Sequence, residues 1–241
     1  VQLLSDEHYI YANTITDNTN IIKLRGIKMK GILSHEEADK CLDVLEETYP
    51  DAKCELEHRS PFELLVATIL SAQCTDVRVN KVTGEMFKKC NKPEDFANMD
   101  IKTLEGLVKE CGLYRNKAKN IKATSNVILE EFNGKVPETI KDLMKLPGVG
   151  KKTANVVAST CFGVPAIAVD THVFRVSNRI GFVSENNVEK TEKALENKID
   201  RKRWTKAHHL FIFHGRRCCT ARSPKCQACP IKDFCRYYEE T

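Results

Sequence analysis

The sequence predicts an all-α fold. Apolar residues recur at three- and four-residue spacing along most of the 241-residue chain, the rhythm of amphipathic helices. Polar caps with glutamate three positions on stand before several of these runs, and Gly or Pro follows them. No segment alternates apolar and polar residues long enough to make a sheet.

Ser34 and Glu37 form a capping box ahead of Ala38, Leu42 and Leu45, and Pro50 follows that helix. Ser60, Pro61 and Glu63 supply a cap, a proline at the first helical position and a reciprocal glutamate. Residues 64–70 are nearly all apolar, so this helix is expected at the centre of a core. Ser71, Ala72 and Gln73 break it, and Thr75 or Asp76 starts the next. Asp100 caps a helix carrying Leu104, Leu107 and Val108 that ends at Gly112. A further helix is expected over residues 116–132, stopped by Gly134, and Pro137 opens one that leads into a glycine-rich turn. Asp170 or Thr171 opens another, ending near Gly181. Residues 188–213 hold at least one more, closed at Gly215. Residues 1–33 lack amphipathic rhythm and are rich in Asn, Thr and Ile. They read equally as an ordered arm, a disordered tail, or sequence upstream of a native start at Met29.

Hydrophobic residues make up 41% of the chain and charged residues 29%, a balance that suits a globular protein with a substantial core. No apolar run approaches the ~20 residues that span a bilayer. Residues 1–30 lack the apolar core of a signal peptide and the arginines of a transit peptide. The expected place is the cytoplasm, or the nucleus in a cell that has one. The net charge of +5 is uneven. Residues 201–241 hold ten Lys/Arg against three Asp/Glu, so the first 200 residues sum to about −2. A basic C-terminal region suggests a polyanionic partner, or a solvated surface and nothing more.

The most informative stretch is Leu146-Pro147-Gly148-Val149-Gly150-Lys151-Lys152-Thr153. Proline stops the incoming helix, Gly148 and Gly150 have access to backbone conformations closed to other residues, and Ala154, Val157, Ala158 and Cys161 resume helical spacing. The reading is helix, tight hairpin, helix. Unpartnered N–H groups at the new N-terminus then form an anion site suited to phosphate, with Lys152 in the same turn. The alternative is a glycine-rich interhelical turn beside a surface lysine. Eighteen residues after Lys152 comes Asp170-Thr171-His172, whose carboxylate reads by itself as a helix N-cap.

Of eleven cysteines, Cys41, Cys54, Cys74, Cys90, Cys111, Cys161 and Cys218 are scattered, several of them as small buried hydrophobes. Cys219, Cys226, Cys229 and Cys235 have the spacing C-x6-C-x2-C-x5-C, so four thiolates can converge on one metal centre. A zinc Cys₄ site usually pairs two C-x2-C knuckles, and only one is present. Iron–sulfur clusters accept more varied loops, so the spacing leans that way. Cys218 is a second candidate for the first ligand. Arg222 and Lys225 make the loop basic, so a metal there would stiffen a surface able to meet a phosphate backbone.

Together the hairpin with its lysine, Val169-Asp170-Thr171-His172, His214-Gly215-Arg216 and the cysteine spacing resemble the endonuclease III family. That is the iron–sulfur branch of the helix-hairpin-helix DNA glycosylases. Ser60 to Leu65, Leu70 to Gln73, Thr75-Asp76-Val77 and Gly112-Leu113-Tyr114 fall in the same order as in that family, and the likeness runs from about Ser34 to Thr241. It implies a two-lobed helical fold: a barrel over 54–165 carrying the hairpin, and a cluster lobe made of 34–53 with 166–241. It leaves 1–33 as an unassigned extension.

The resemblance also implies a bifunctional glycosylase and abasic-site lyase, monomeric, that excises oxidised pyrimidines from duplex DNA and cleaves 3′ to the abasic site by β-elimination. Lys152 corresponds to the nucleophile and Asp170 to the catalytic carboxylate. Only a neutral amine attacks C1′, and a helix N-terminus disfavours the ammonium form. Lys151 is expected in solvent or against phosphate, and His172 against a phosphate or in a local hydrogen bond. Leu146, Gly148, Val149 and Gly150 of the hairpin, with Arg222 and Lys225, fall to DNA backbone contact. Gln73 and Leu113 match positions that fill the gap left by a flipped nucleotide. The cofactor implied is a 4Fe–4S cluster on Cys219, Cys226, Cys229 and Cys235. Rival readings are a sister branch acting on adenine or mismatched thymine, a non-catalytic DNA-binding module, and an electron carrier. Lys152 argues against the first, its pairing with Asp170 against the second, and the hairpin and basic tail against the third.

Overall fold

The computed structural model describes residues 22–24, 27–29 and 31–239. Its body is helical: α1 (His35–Thr48), α2 (Pro61–Ser71), α3 (Asp76–Met86), α4 (Pro93–Asn98), α5 (Ile101–Val108), α6 (Tyr114–Glu131), α7 (Ile140–Leu143), α8 (Lys151–Phe162), α9 (Thr171–Ile180), α10 (Val188–Lys198), α11 (Trp204–Arg217) and α12 (Arg236–Glu239). Before it lies a two-stranded antiparallel ribbon of β1 (Ile22–Leu24) and β2 (Ile27–Met29), with Ile22 opposite Met29. The sequence reading expected no sheet. Strands of three residues are too short for period-two alternation to show. The rest of residues 1–30 lies outside the described residues.

Local chemistry accounts for most helix starts. Ser34 and Glu37 close a full capping box on α1. The Ser60 hydroxyl accepts from Glu63 N–H at 3.2 Å, and Pro61 opens α2. The expected reciprocal contact of Glu63 does not form. Its carboxylate, almost fully buried, accepts from Arg59 N–H at 2.7 Å and pairs with the Arg59 guanidinium at 2.8 Å. A buried carboxylate gains more from a charged fork than from one amide. Helix α5 passes into a 3₁₀ turn over Lys109–Cys111 before Gly112, and α6 starts at Tyr114, two residues earlier than expected. Thr139, not Pro137, caps the short helix before the hairpin. The last long helix runs through Gly215 to Arg217 instead of stopping there.

That interior glycine has a packing cause. A Cβ on Gly215 would stand 3.0 Å from His172 Nδ1 and Val176 Cγ2 and 3.1 Å from Arg175 Nη2. Removing it lets α9 lie directly on α11, and the Gly215 carbonyl accepts from Arg175 Nη2 at 3.0 Å.

Two apolar cores form. One is built from α2, with Leu64, Leu65, Val66 and Ala67 fully buried, together with α3, α5, α6 and the inner face of α8. The other joins α1 to α9, α10 and α11 through Leu42, Leu45, Val173, Val176, Phe182 and Phe211. Phe182 and Phe211 meet edge to face at 5.0 Å, a favoured aromatic geometry. No helix among the described residues is long and apolar enough to cross a membrane.

Candidate active site and cluster loop

The hairpin between α7 and α8 is held from below by α6. Thr124 Oγ1 donates to the Pro147 carbonyl at 2.7 Å, and Val149 N–H donates to Leu146 O at 3.1 Å. Gly148 sits at φ +75°, where a Cβ would come within 2.8 Å of three atoms of the Asn120 side chain. Only glycine satisfies both the angle and the approach. Gly150 behaves differently from the sequence expectation. It is extended at φ −86°, open to any residue, with nothing within 4 Å of its missing Cβ. Its use is that α8 begins with no side-chain cap, so the first N–H groups stay open to a ligand. Leu146 and Val149 are buried, 2% and 6% exposed, so any contact they make with a ligand runs through the main chain.

Lys151 and Lys152 start α8 and point to different duties. Lys151 Nζ pairs at 2.9 Å with the buried carboxylate of Glu192, which also accepts from Asn155 Nδ2 at 3.2 Å. That pairing lifts Lys151 above the ordinary lysine value; its side chain stays 55% exposed, so of the two settings expected for it solvent is the one observed, with the ammonium engaged by Glu192. An unpaired buried carboxylate would cost several kcal/mol, so the nearest cation is drawn to it. Lys152 makes no ion pair among the described residues and lines a cleft of about 230 Å³ between the two cores.

Asp170 lines the same cleft. Its Oδ1 accepts from His172 N–H and Val173 N–H, both at 2.8 Å, so it is the N-cap of α9. His172 also lines the cleft, and its Nδ1 takes a hydrogen bond from Arg175 Nη2 at 3.1 Å, the local role among the two expected for it.

Four further cleft residues escaped the sequence reading. Asp76, at the start of α3, is held above the usual carboxylate range by burial, with Lys152 lowering it and Asp170 raising it. Arg216 of α11 ties it at 2.7 Å and also grips Glu55, so one guanidinium bridges both cores across the cleft. His208 and His209, consecutive on α11, both line the cleft, with ring centroids 4.8 Å apart. Burial pushes them down to about 4 and about 3, so both are neutral; the charge of Lys152 adds to the effect on His208, and on His209 the repulsion between the two rings once protonated and the charge of Lys206 add to it. The signal for Asp76 and Arg216 lay in two quoted motifs. Only the fold puts them together.

A second cavity is lined by all four of Cys219, Cys226, Cys229 and Cys235, and by Cys218 and His214. Soft thiolates converging in an apolar setting suit an iron–sulfur group. Burial pushes the Cys229 thiol up to about 12, so it becomes a ligand by giving its proton up to a metal. His214 lies between Tyr49 Oη at 3.1 Å and Cys229 Sγ at 3.7 Å. Its imidazole, Cys218 and Cys229 place their ligating atoms within 4.8 Å of one another. Cys218 therefore belongs to the lining of this cavity, while Arg179 Nη1 approaches the Cys219 sulfur at 3.6 Å.

Arg222 and Lys225 are exposed on this loop and make no ion pair among the described residues. Three other C-terminal arginines are spent internally: Arg203 on Asp39, Asp43 and Glu46, Arg216 on Asp76 and Glu55, Arg217 on Asp51. Gln73 and Leu113 do not line the cleft. They sit on two adjacent exposed turns, at φ +53° and +46°.

A bare helix terminus, a cleft carrying a lysine and a carboxylate from separate cores, and a thiol-lined basic loop define a helical DNA glycosylase of the base-excision type. A model of the HhH-GPD superfamily of base excision DNA repair proteins matches residues 66–201, and the iron–sulfur binding domain of endonuclease III matches 219–235. Endonuclease III of Bacillus subtilis is 50% identical over 206 residues, covering 85% of this chain and 94% of its own. A solved non-covalent endonuclease III–DNA complex superposes with TM-score 0.83 at 50% identity, covering 87% of this chain and 98% of that one. A trapped endonuclease III–DNA covalent intermediate superposes at 0.82 and 49%, covering 87% and 99%. The chain belongs to the endonuclease III family. It is a DNA glycosylase and abasic-site lyase of base excision repair, its partner is DNA, and its cofactor is an iron–sulfur cluster.

Proposed function

We propose that the substrate is an oxidised pyrimidine in duplex DNA and that Lys152 and Asp170 perform the chemistry. The observation that carries this is their placement: from two different cores they line one cleft beside the uncapped start of α8. The neutral Lys152 amine attacks C1′, the bond from C1′ to the base breaks, and the base leaves. The base leaves as its anion and takes up a proton; the nitrogen gives one up, the C1′–O4′ bond breaks as O4′ is protonated, and an iminium to the opened sugar remains. Loss of a C2′ proton breaks the C3′–O bond, which cuts the strand on the 3′ side. Asp170, kept in place by its cap, accepts a proton during attack and stabilises positive charge developing on the sugar.

In this reading the main-chain N–H groups from Gly148 to Gly150 hold a phosphate, and Arg222 and Lys225 hold another stretch of backbone. Gln73 and Leu113 enter the gap left by the flipped nucleotide; their support is their exposure, 57% for Leu113, and their place on neighbouring turns. Cys219, Cys226, Cys229 and Cys235 hold a 4Fe–4S cluster, which when bound ties the loop into one compact unit. The barrel lobe takes 54–165, and the cluster lobe takes 34–53 with 166–241. One chain holds the whole site, so the protein works as a monomer, on the genome in the cytoplasm.

The test is borohydride trapping on duplexes carrying thymine glycol, an abasic site, adenine opposite 8-oxoguanine, or a thymine mismatch. Trapped adduct on the first two alone is expected. Equal trapping on the adenine or mismatch duplex overturns the substrate assignment, and no adduct on any duplex overturns the Schiff-base chemistry. Sedimentation at micromolar concentration reads the monomer directly, and a dimer there removes that part of the proposal.

A further inference from the structure

Lys117 on α6 is the one lysine in the buried class among the described residues, 4% exposed. Its ammonium donates to Leu70 O at 2.9 Å and to Cys111 O at 2.7 Å. These carbonyls end two different elements: Leu70 is in the last turn of α2, and Cys111 closes the 3₁₀ turn after α5. Carbonyls there have no partner within their own element and face the negative end of the helix dipole, so a cation satisfies both demands.

The two elements lead straight into the two exposed turns. Gln73 follows Leu70 by three residues at φ +53°, and Leu113 follows Cys111 by two at φ +46°. Neither is glycine, so each turn is held against the steric preference of an L-residue. Burial of the ammonium carries its own cost and draws Lys117 below the ordinary lysine value, with the Cys74 and Cys111 thiols opposing that. A methionine, unbranched and one atom shorter, would fill most of the site without that cost. What it would lack is a joint grip on two chain segments 41 residues apart.

We propose that Lys117 is a positioning residue for base extrusion: it caps both elements at once and so sets the separation of the turns that carry Gln73 and Leu113. The inference rests on the reading of those two residues as gap-filling. Two groups entering one gap in the stack must be spaced to fit it, and a misplacement of about 1 Å can cost up to ~100-fold in rate.

The experiment is a double-mutant cycle on the cluster-loaded enzyme, with melting temperature and cluster absorbance as checks on folding. Single-turnover base excision from a base-paired damaged duplex is measured for Lys117→Met, for Gln73→Ala with Leu113→Ala, and for all three together. Cleavage of a preformed abasic site, where no base is left to extrude, is measured alongside. Lys117→Met is expected to slow excision about tenfold in the wild-type background and less than about twofold once Gln73 and Leu113 are removed. Abasic cleavage should stay within about twofold. Lys117→Arg, which keeps donors and charge, should recover most of the loss, and Lys117→Gln replaces Met should that variant not fold. Additive losses, or equal slowing of excision and abasic cleavage, overturn the clamp and leave the gap-filling reading standing. Wild-type excision by the Gln73→Ala, Leu113→Ala enzyme overturns the gap-filling reading and the clamp's purpose with it.

Discussion

Asp170 places two demands on one carboxylate. Its Oδ1 takes two N–H bonds at the start of α9, and no hydrogen bond reaches Oδ2 among the described residues. One oxygen fixes the direction of the other, which faces the cleft that Lys152 also lines. This separates two substitutions. Lys152→Ala should abolish borohydride-trapped adduct and strand cleavage while duplex affinity stays within about threefold, since the anion site is main chain. Asp170→Asn keeps the cap and removes the charge, so base release should slow by at least ~100-fold with binding of damaged DNA intact. Trapping by the alanine enzyme at the wild-type level would falsify Lys152 as nucleophile. A wild-type single-turnover rate for the asparagine enzyme would leave Asp170 as a cap alone. Lys152 stands out in the sequence through the hairpin before it, whereas Asp170, by itself an ordinary N-cap, is marked only by the family resemblance. Asp76 does not, since a carboxylate at a helix start is ordinary, and only Arg216, 140 residues away, reveals it as part of the cleft.

At the scale of elements, the hairpin depends on α6 as much as on its own glycines. Gly148→Ala meets both a left-handed backbone and the Asn120 side chain, and should destabilise the protein by about 2–4 kcal/mol. Adding Asn120→Gly, which removes all three crowding atoms including Cβ, should recover the crowding part and leave the backbone part, apart from the cost of a glycine inside α6. Equal melting temperatures for the single and double variants would show that Asn120 gives way freely. The cluster loop makes its own predictions. Cys229→Ser should lose the yellow-brown colour and retain under half of the roughly four irons per chain expected for this cluster type. Cys219→Ser should lose them and Cys218→Ser should keep them; the reverse pattern exchanges these two as the first ligand. Arg222→Ala and Lys225→Ala should each lower the salt slope of duplex binding by about one, equally on damaged and undamaged DNA. Unchanged slopes would make this loop a solvated surface. Helix limits were mostly legible because caps are local. The run of α11 through Gly215 was not, since a glycine there looks like a stop until α9 is seen against it.

Over the whole molecule, two neutral histidines lie between the cores. His208 and His209 fall from 6.5 to about 4 and about 3. The unfolded chain takes up their protons first as pH drops, so the stability they protect is complete above pH 6.5. It is lost on acidification toward 4 and below, by up to about 1.4 kcal/mol per pH unit for each ring. Melting temperature should therefore fall between pH 6.5 and 4, and His209→Gln should flatten that fall. A variant as acid-sensitive as the parent would place the titration elsewhere.

The amino-acid order alone determined the all-helical class, most caps, the hairpin and the cysteine spacing, because each is set by neighbours within a turn or two. It also carried the family resemblance, because motifs are contiguous. Tertiary structure decided what depends on elements distant in sequence. It gave the exposed Lys151 a buried partner in Glu192 that the sequence did not indicate. It spent Arg203, Arg216 and Arg217 on acids of α1, of α3 and of the chain between them, leaving Arg222 and Lys225 exposed. It buried Lys117 between two carbonyls, where a surface helix position was the natural reading of a lysine. Charges act through space, and which charges share a site is known only once the helices are packed.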